Sequence, residues 1–245
     1  MISAAERIVV PTESNTECLD AAILRSPIHT PVLVIEVLEF LLVKSGGIYI
    51  DCTSGEGGHT EEILRRCIPD GHVFALDSDS DALKAATARL HRYRSNLSLI
   101  CTSYNKISTL LALAKISSAD GIVFDLGLSS LQLQQSGRGF SFTKTEPLDM
   151  RFDATNGPTA SDIVNHYPVD KLTHILRTYG QEPRARSIAR AIVQRRPIYT
   201  AVSLAGIVAT TAKQSRKGLH PATRTFQAIR IAVNDELRNL QIGLD

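Results

Sequence analysis

Two patterns of apolar and polar positions divide the chain. In residues 30–44, TPVLVIEVLEFLLVK, apolar side chains recur at helical spacing, with Val34, Val37, Leu38, Leu41 and Leu42 on one side, and Gly46 and Gly47 end the run. GIYIDCT then predicts a short buried strand, and EGGHTEEILRRC a tight turn with a helix behind it. HVFALDSD is a second strand. SDALKAATARLHRY is a helix that either Asp79 or Ser80 can cap, and LSLICTSY is a third strand. STLLALAKI is a further helix and GIVFDLGLSS a fourth strand. Strands alternating with helices of this length predict a parallel sheet built from right-handed crossovers.

From about Leu131 the regime changes. RGFSFTKTEPLDMRFDATNGPT holds no sustained period and predicts an ordered loop. ASDIVNHY, DKLTHILRTY, RARSIARAIVQRR and SLAGIVATTAK follow as short helices with no strand among them. They read as a helical subdomain inserted after the fourth strand. TRTFQAIRIAVNDELRNLQIGL predicts one long amphipathic helix, with Phe226, Ile229, Val233, Leu237 and Leu240 facing back onto the sheet. The expected organisation is a flexible extension over 1–26, a Rossmann-like core over 27–132 and 219–245, and an inserted loop and helical substrate-recognition domain over 133–218.

Charge sharpens this division. The formal net charge is +2, but residues 1–182 carry 16 basic and 22 acidic side chains. Residues 183–234 carry ten basic side chains and no acid: Arg184, Arg186, Arg190, Arg195, Arg196, Lys213, Arg216, Lys217, Arg224 and Arg230. A stretch of one sign and this length is the footprint of a surface that meets phosphates, and a solvated helix face is the bland alternative. The four cysteines, Cys18, Cys52, Cys67 and Cys101, are scattered without metal-ligand spacing, so no metal is expected and reduced thiols are. No apolar run is long enough to span a bilayer, and the acidic N-terminal residues fit neither a signal nor a transit peptide, so a cytoplasmic location is expected.

In an open parallel sheet, ligands sit beyond the carboxyl ends of the strands. The first strand ends in DCTSGEGGHT, residues 51–60, a glycine-rich turn whose following helix offers free N–H groups. Such a turn also serves dinucleotides, or binds no ligand at all, and GEGGHT lacks the G-x-G-x-x-G spacing for a pyrophosphate. Asp77 ends the second strand, where a carboxylate accepts both ribose hydroxyls or caps the next helix. Tyr104 follows the third strand, where an adenine could stack, and DLGLSS at the fourth offers Asp125, Ser129 and Ser130. A buried Asp125 would need a partner, because an unpaired buried carboxylate is costly.

DCTSGEGGHT, ALDSD, DGIVFDLGLSSLQL, RGFSF with PLDMRFD, YGQEPRARSIARAIV and HPATRTFQAIRIAVNDEL together resemble the ribosomal small-subunit RNA methyltransferase H family, also called MraW. The resemblance implies an α/β, Rossmann-like class I methyltransferase sheet with an inserted small helical domain. It also implies S-adenosyl-L-methionine as cofactor and N4-methylation of a cytidine in small-subunit rRNA. Carried over by position, the cofactor contacts are Gly57, Gly58, His59, Asp77, Tyr104, Asp125 and Gln132. The groups at the reacting amine are Asp125, then Ser129 and Ser130. Asp149, Arg151, Arg195, Arg196 and Arg224 stand on the substrate side. The partner is the small-subunit rRNA or the small ribosomal subunit, with no membrane; the oligomeric state stays open, a dimer among the options. The mitochondrial matrix replaces the cytoplasm for a eukaryotic source.

Two departures matter. Ser54, Ser78 and Ser80 replace an aromatic, an Arg and a Pro usual in the family. Its members also continue beyond the final helix with further strands. C-terminal strands therefore look missing here, GIVFDLG is expected to be a sheet edge, and little methyl transfer is expected from an isolated monomer. A non-catalytic RNA-binding or ribosome-assembly factor of the same descent is the alternative. A DNA amine methyltransferase is disfavoured, because Asp125-Leu126-Gly127-Leu128 stands where a (D/N/S)-P-P-(Y/F/W) string would.

Overall fold

The computed structural model describes Ile8–Val9, residues 31–212 and residues 220–245. The chain divides into two compact units, Met1–Ser129 with Asn239–Asp245, and Ser130–Arg238. The first unit holds a five-stranded sheet of β1 (Ile8–Val9), β2 (Ile48–Asp51), β3 (His72–Asp77), β4 (Leu97–Cys101) and β5 (Gly121–Val123). Its order is β1-β4-β3-β2-β5, with β2 to β5 parallel and β1 antiparallel to β4. This is the predicted Rossmann-like α/β sheet. Ile8–Val9, at its far edge, falls within the stretch the sequence set apart; the rest of residues 1–26 lies outside the described residues.

Burial on both faces explains why the strands read as continuous apolar runs. Tyr49, Val73, Ala75, Leu97, Leu99 and Val123 face one way, into a core closed by α1 (Val34–Phe40), α2 (Gly58–Cys67) and α3 (Ser80–Leu90). Ile50, Leu76 and Ile100 face the other way, against Ile107, Leu110 and Leu111 of α4 (Ile107–Leu113). The Asp79 side chain caps α3 by accepting the Asp81 N–H. Leu42 does not join the helical stripe: α1 stops at Phe40, the backbone turns left-handed at Leu42 (φ 49°), and its side chain is 80% exposed.

The strands step outward from β2 to β3 and β4, and the chain then crosses back to place β5 on the other side of β2. The reversal lies between β2 and β5, and in sheets of this kind ligands bind beyond the carboxyl ends of the strands at that point. β5 has β2 as its one neighbour among the described residues and stands at the predicted edge.

The second unit is helical: α5 (Ser130–Gln135), α6 (Ala160–His166), α7 (Val169–Thr178), α8 (Ala185–Gln194), α9 (Ala201–Ala212), α10 (Thr223–Val233) and the first turn of α11 (Glu236–Leu244). The predicted loop holds no helix, and an isolated bridge from Pro147 to Thr200 ties it to the start of α9. The single long C-terminal helix is a misreading. Asn234 ends α10 by giving its amide to the Met150 carbonyl and accepting the Phe152 N–H, and Asp235 turns left-handed at φ 48° before α11 begins. Phe226, Ile229 and Val233 are buried in the helical unit, where α10 packs on α6 and α7. The unit boundary accordingly falls at Arg238, later than the sequence placed it.

Candidate functional site

The loop after β2 is built around a carboxylate that the sequence reading passed over. Asp51 is fully buried and accepts the Thr60 hydroxyl at 2.6 Å and the Thr53 N–H at 3.1 Å. Burial raises its pKa, and the two donors oppose that rise. The Asp51–Thr53 contact is an Asx turn, and an aspartate two residues before a strand-end turn was the signal for it. Beside it the Cys52 thiol is pushed up to about 12, first by burial, so it is no nucleophile at neutral pH.

Asp77, at the end of β3, is tied to that loop. Its two oxygens accept the Gly55 N–H and the Asp79 N–H, both at 2.8 Å. A carboxylate has about four acceptor positions, so two backbone donors leave room for a pair of hydroxyls. Burial pushes its pKa up to about 6 against the pull of those donors. Gly57 caps α2 with a left-handed backbone (φ 83°). A methyl group there would lie 2.7 Å from Leu90 Cδ1, and one at Gly58 would lie 2.5 Å from Pro31 Cγ. Packing and backbone conformation therefore fix both glycines. At Gly55 the nearest obstacle is Ser129 Cβ, 3.7 Å away, which places Ser129 beside the loop.

The carboxyl end of β5 meets the same loop. The Asp125 N–H donates to Thr53 Oγ1 at 2.7 Å, and Asp125 Oδ2 lies 3.5 Å from Nε2 of buried His59. The Asp125 side chain is 54% exposed, so it pays no burial cost; the buried carboxylate of this loop is Asp51. Tyr104 follows the end of β4 and meets Phe124 edge-on at 5.7 Å. The first unit thus brings Gly57, Gly58, His59, Asp77, Asp125 and Ser129 together around the β2–β5 reversal.

The other expected site residues lie in the second unit. Ser130 begins α5, and Gln132 is buried on it. Asp149 and Arg151 engage each other through two side-chain bonds of 2.9 and 2.7 Å, which hold the Asp149 carboxyl below its usual range although burial opposes this. Arg196 is not a surface cation. Its Nε donates to the Val164 carbonyl at 2.7 Å and its terminal nitrogen to the Tyr167 carbonyl, so it closes the C-terminus of α6. Arg224 reaches the Gln181 carbonyl at 3.0 Å, and Arg230 is paired with Glu236. Arg184, Arg186, Arg190 and Arg195 are exposed on and beside α8, whose opposite face buries Ile188, Ala189 and Ile192. Lys213, Arg216 and Lys217 lie outside the described residues.

Among the described residues no helix is long and apolar enough to cross a membrane. An rRNA methylase structure from Streptococcus thermophilus matches with a TM-score of 0.34 at 21% identity, covering 42% of this chain and 58% of that one. Three proteins called ribosomal RNA small subunit methyltransferase H are much closer in sequence. The one from Symbiobacterium thermophilum is 45% identical over 222 residues, covering 89% of this chain and 70% of that protein. The Caldicellulosiruptor bescii protein is 44% identical, covering 89% and 71%. The Fervidobacterium nodosum protein is 46% identical, covering 89% and 75%. The family model of the MraW methylases matches residues 26–245. With a parallel sheet that reverses between β2 and β5, a family model matched over residues 26–245 and relatives this similar over most of their length, the chain belongs to the MraW methylase family.

Proposed function

We propose that this protein uses S-adenosyl-L-methionine to methylate the N4 amine of a cytidine in small-subunit rRNA. The observation that carries the reading is Asp77, held at the end of β3 by two N–H groups with acceptor positions to spare. The residues present fit the cofactor. Asp77 would take the ribose hydroxyls, Tyr104 an adenine face, and the loop of residues 53–59 the remainder. Gln132 is proposed as a further contact. When bound, the cofactor supplies an electrophilic methyl group.

The chain's own part is positioning. The cytosine amine is conjugated with its ring, and an acceptor on its N–H returns lone-pair density to nitrogen. Asp125 is exposed, anchored through its N–H to Thr53 and flanked by His59, so its carboxylate can accept that bond. Ser129 and Ser130 are the next candidates. Alignment of amine and methyl group supplies most of the rate, and the amine sheds its proton after transfer. A duplex hides the amine, so the base enters unpaired. The exposed arginines of α8 neutralise the RNA backbone.

The test is methylation of purified small ribosomal subunits, followed by mass spectrometry of their nucleosides. N4-methylcytidine formed with the parent and lost in Asp77→Ala supports the proposal. Adenosylmethionine binding without transfer would favour the assembly-factor reading. Absence of binding would overturn the cofactor assignment.

A further inference from the structure

RGFSF and HPATRTF, far apart in the sequence, meet inside the second unit. The Phe142 and His220 rings lie parallel, with centroids 4.3 Å apart and planes 8° apart. Phe226, buried on α10, supports Phe142 edge-on at 5.6 Å and 85°. The imidazole is also held in its own plane, because the Ala222 N–H donates to Nδ1 at 3.2 Å, which leaves Nε2 to carry the proton of the neutral ring. Phe142 covers one face of the imidazole, yet His220 is an exposed residue.

Burial of apolar surface does not account for this geometry, since the outermost ring is polar and remains in water. An exposed ring fixed by a hydrogen bond and stacked on a second, supported ring is the kind of element on which proteins stack unpaired bases; every base offers a π-face. The RNA reading above, and the basic sequence segment in which His220 stands, favour a nucleic-acid base over other flat ligands. His220 lies within residues 183–234, which carry ten basic side chains and no acid.

We infer that His220, backed by Phe142 and Phe226, is a stacking platform for one unpaired base of the RNA. The inference rests on the RNA reading above and adds a base contact to its phosphate contacts. Stacking moves no counterions, so its signature differs from that of the arginines.

The experiment measures fluorescence anisotropy of labelled oligocytidylate, and of a matching oligomer with abasic sites, across a salt series. His220→Ala is expected to weaken oligocytidylate binding about 5- to 100-fold at every salt concentration, the scale of one stacked base. The salt slope should stay that of the parent, His220→Tyr should restore binding, and abasic affinity should not change. Unfolding curves that match the parent's confirm that the variants are folded. Equal oligocytidylate affinity in parent and His220→Ala overturns the platform, as does an equal loss on the abasic oligomer. A parent that binds neither oligomer overturns the RNA reading itself, and the platform with it.

Discussion

Asp77→Asn separates two effects of one carboxylate. Burial lifts its pKa from 3.8 to about 6, so the folded chain holds about two units, or about 3 kcal/mol, against the charged form. The group is neutral in both states below pH 3.8, where it costs the fold nothing; stability then falls as the pH rises through about 6. Asparagine removes the charge but accepts from one of the two N–H donors and turns its amide toward the other, at about 1–2 kcal/mol. The variant is therefore expected to be about 1–2 kcal/mol more stable than the parent near neutral pH and less stable by a similar amount near the unfolded pKa. Adenosylmethionine binding should move the opposite way at neutral pH, weakening roughly 10- to 150-fold with loss of a charged acceptor. Parent affinity should fall up to tenfold per pH unit below about 6 and level off above it, while the variant stays flat. Urea unfolding at the two pH values and calorimetric titration of the cofactor measure all of this. Unchanged cofactor affinity in the variant, or an equal loss of stability at both pH values, refutes the reasoning.

Arg196→Ala should lower stability by about 1.5–3 kcal/mol through the freed carbonyls of Val164 and Tyr167, and leave the salt slope of RNA binding alone. Arg186→Ala and Arg190→Ala should each reduce that slope by about one without altering the unfolding midpoint. Glu61 is buried and accepts from Arg65, Arg89 and Arg92, linking α2 to α3. Burial would raise its pKa, but the Arg89 and Arg65 partners hold it below 4.5. Glu61→Gln is therefore expected to cost about 1.5–3 kcal/mol near neutral pH, a difference that vanishes as the pH falls through the folded pKa, read from paired unfolding curves. Gly57→Ala, strained at φ 83° and pressed onto Leu90, should lower stability by more than about 1 kcal/mol in urea unfolding.

The sequence by itself determined strands β2 to β5 and the helices between them, but neither the Ile8–Val9 strand nor the break between α10 and α11. Both faces of β2, β3 and β4 are buried, so those strands stand out as apolar runs, and Asp77 and the GEGGHT turn show as polar interruptions at their ends. What it could not decide were the partners of side chains, because partners come from remote segments. Arg196 and Arg190 are alike as letters, but one meets the carbonyls of α6 and the other faces water. Asp51 and Asp125 both end strands, yet the sheet closes over the first and leaves the second exposed. The apolar stripe of α10 shows a face to be buried without naming its cover, and α6 and α7 took it where the sheet was expected. Periodicity records which side of an element avoids water; only the tertiary structure decides against what.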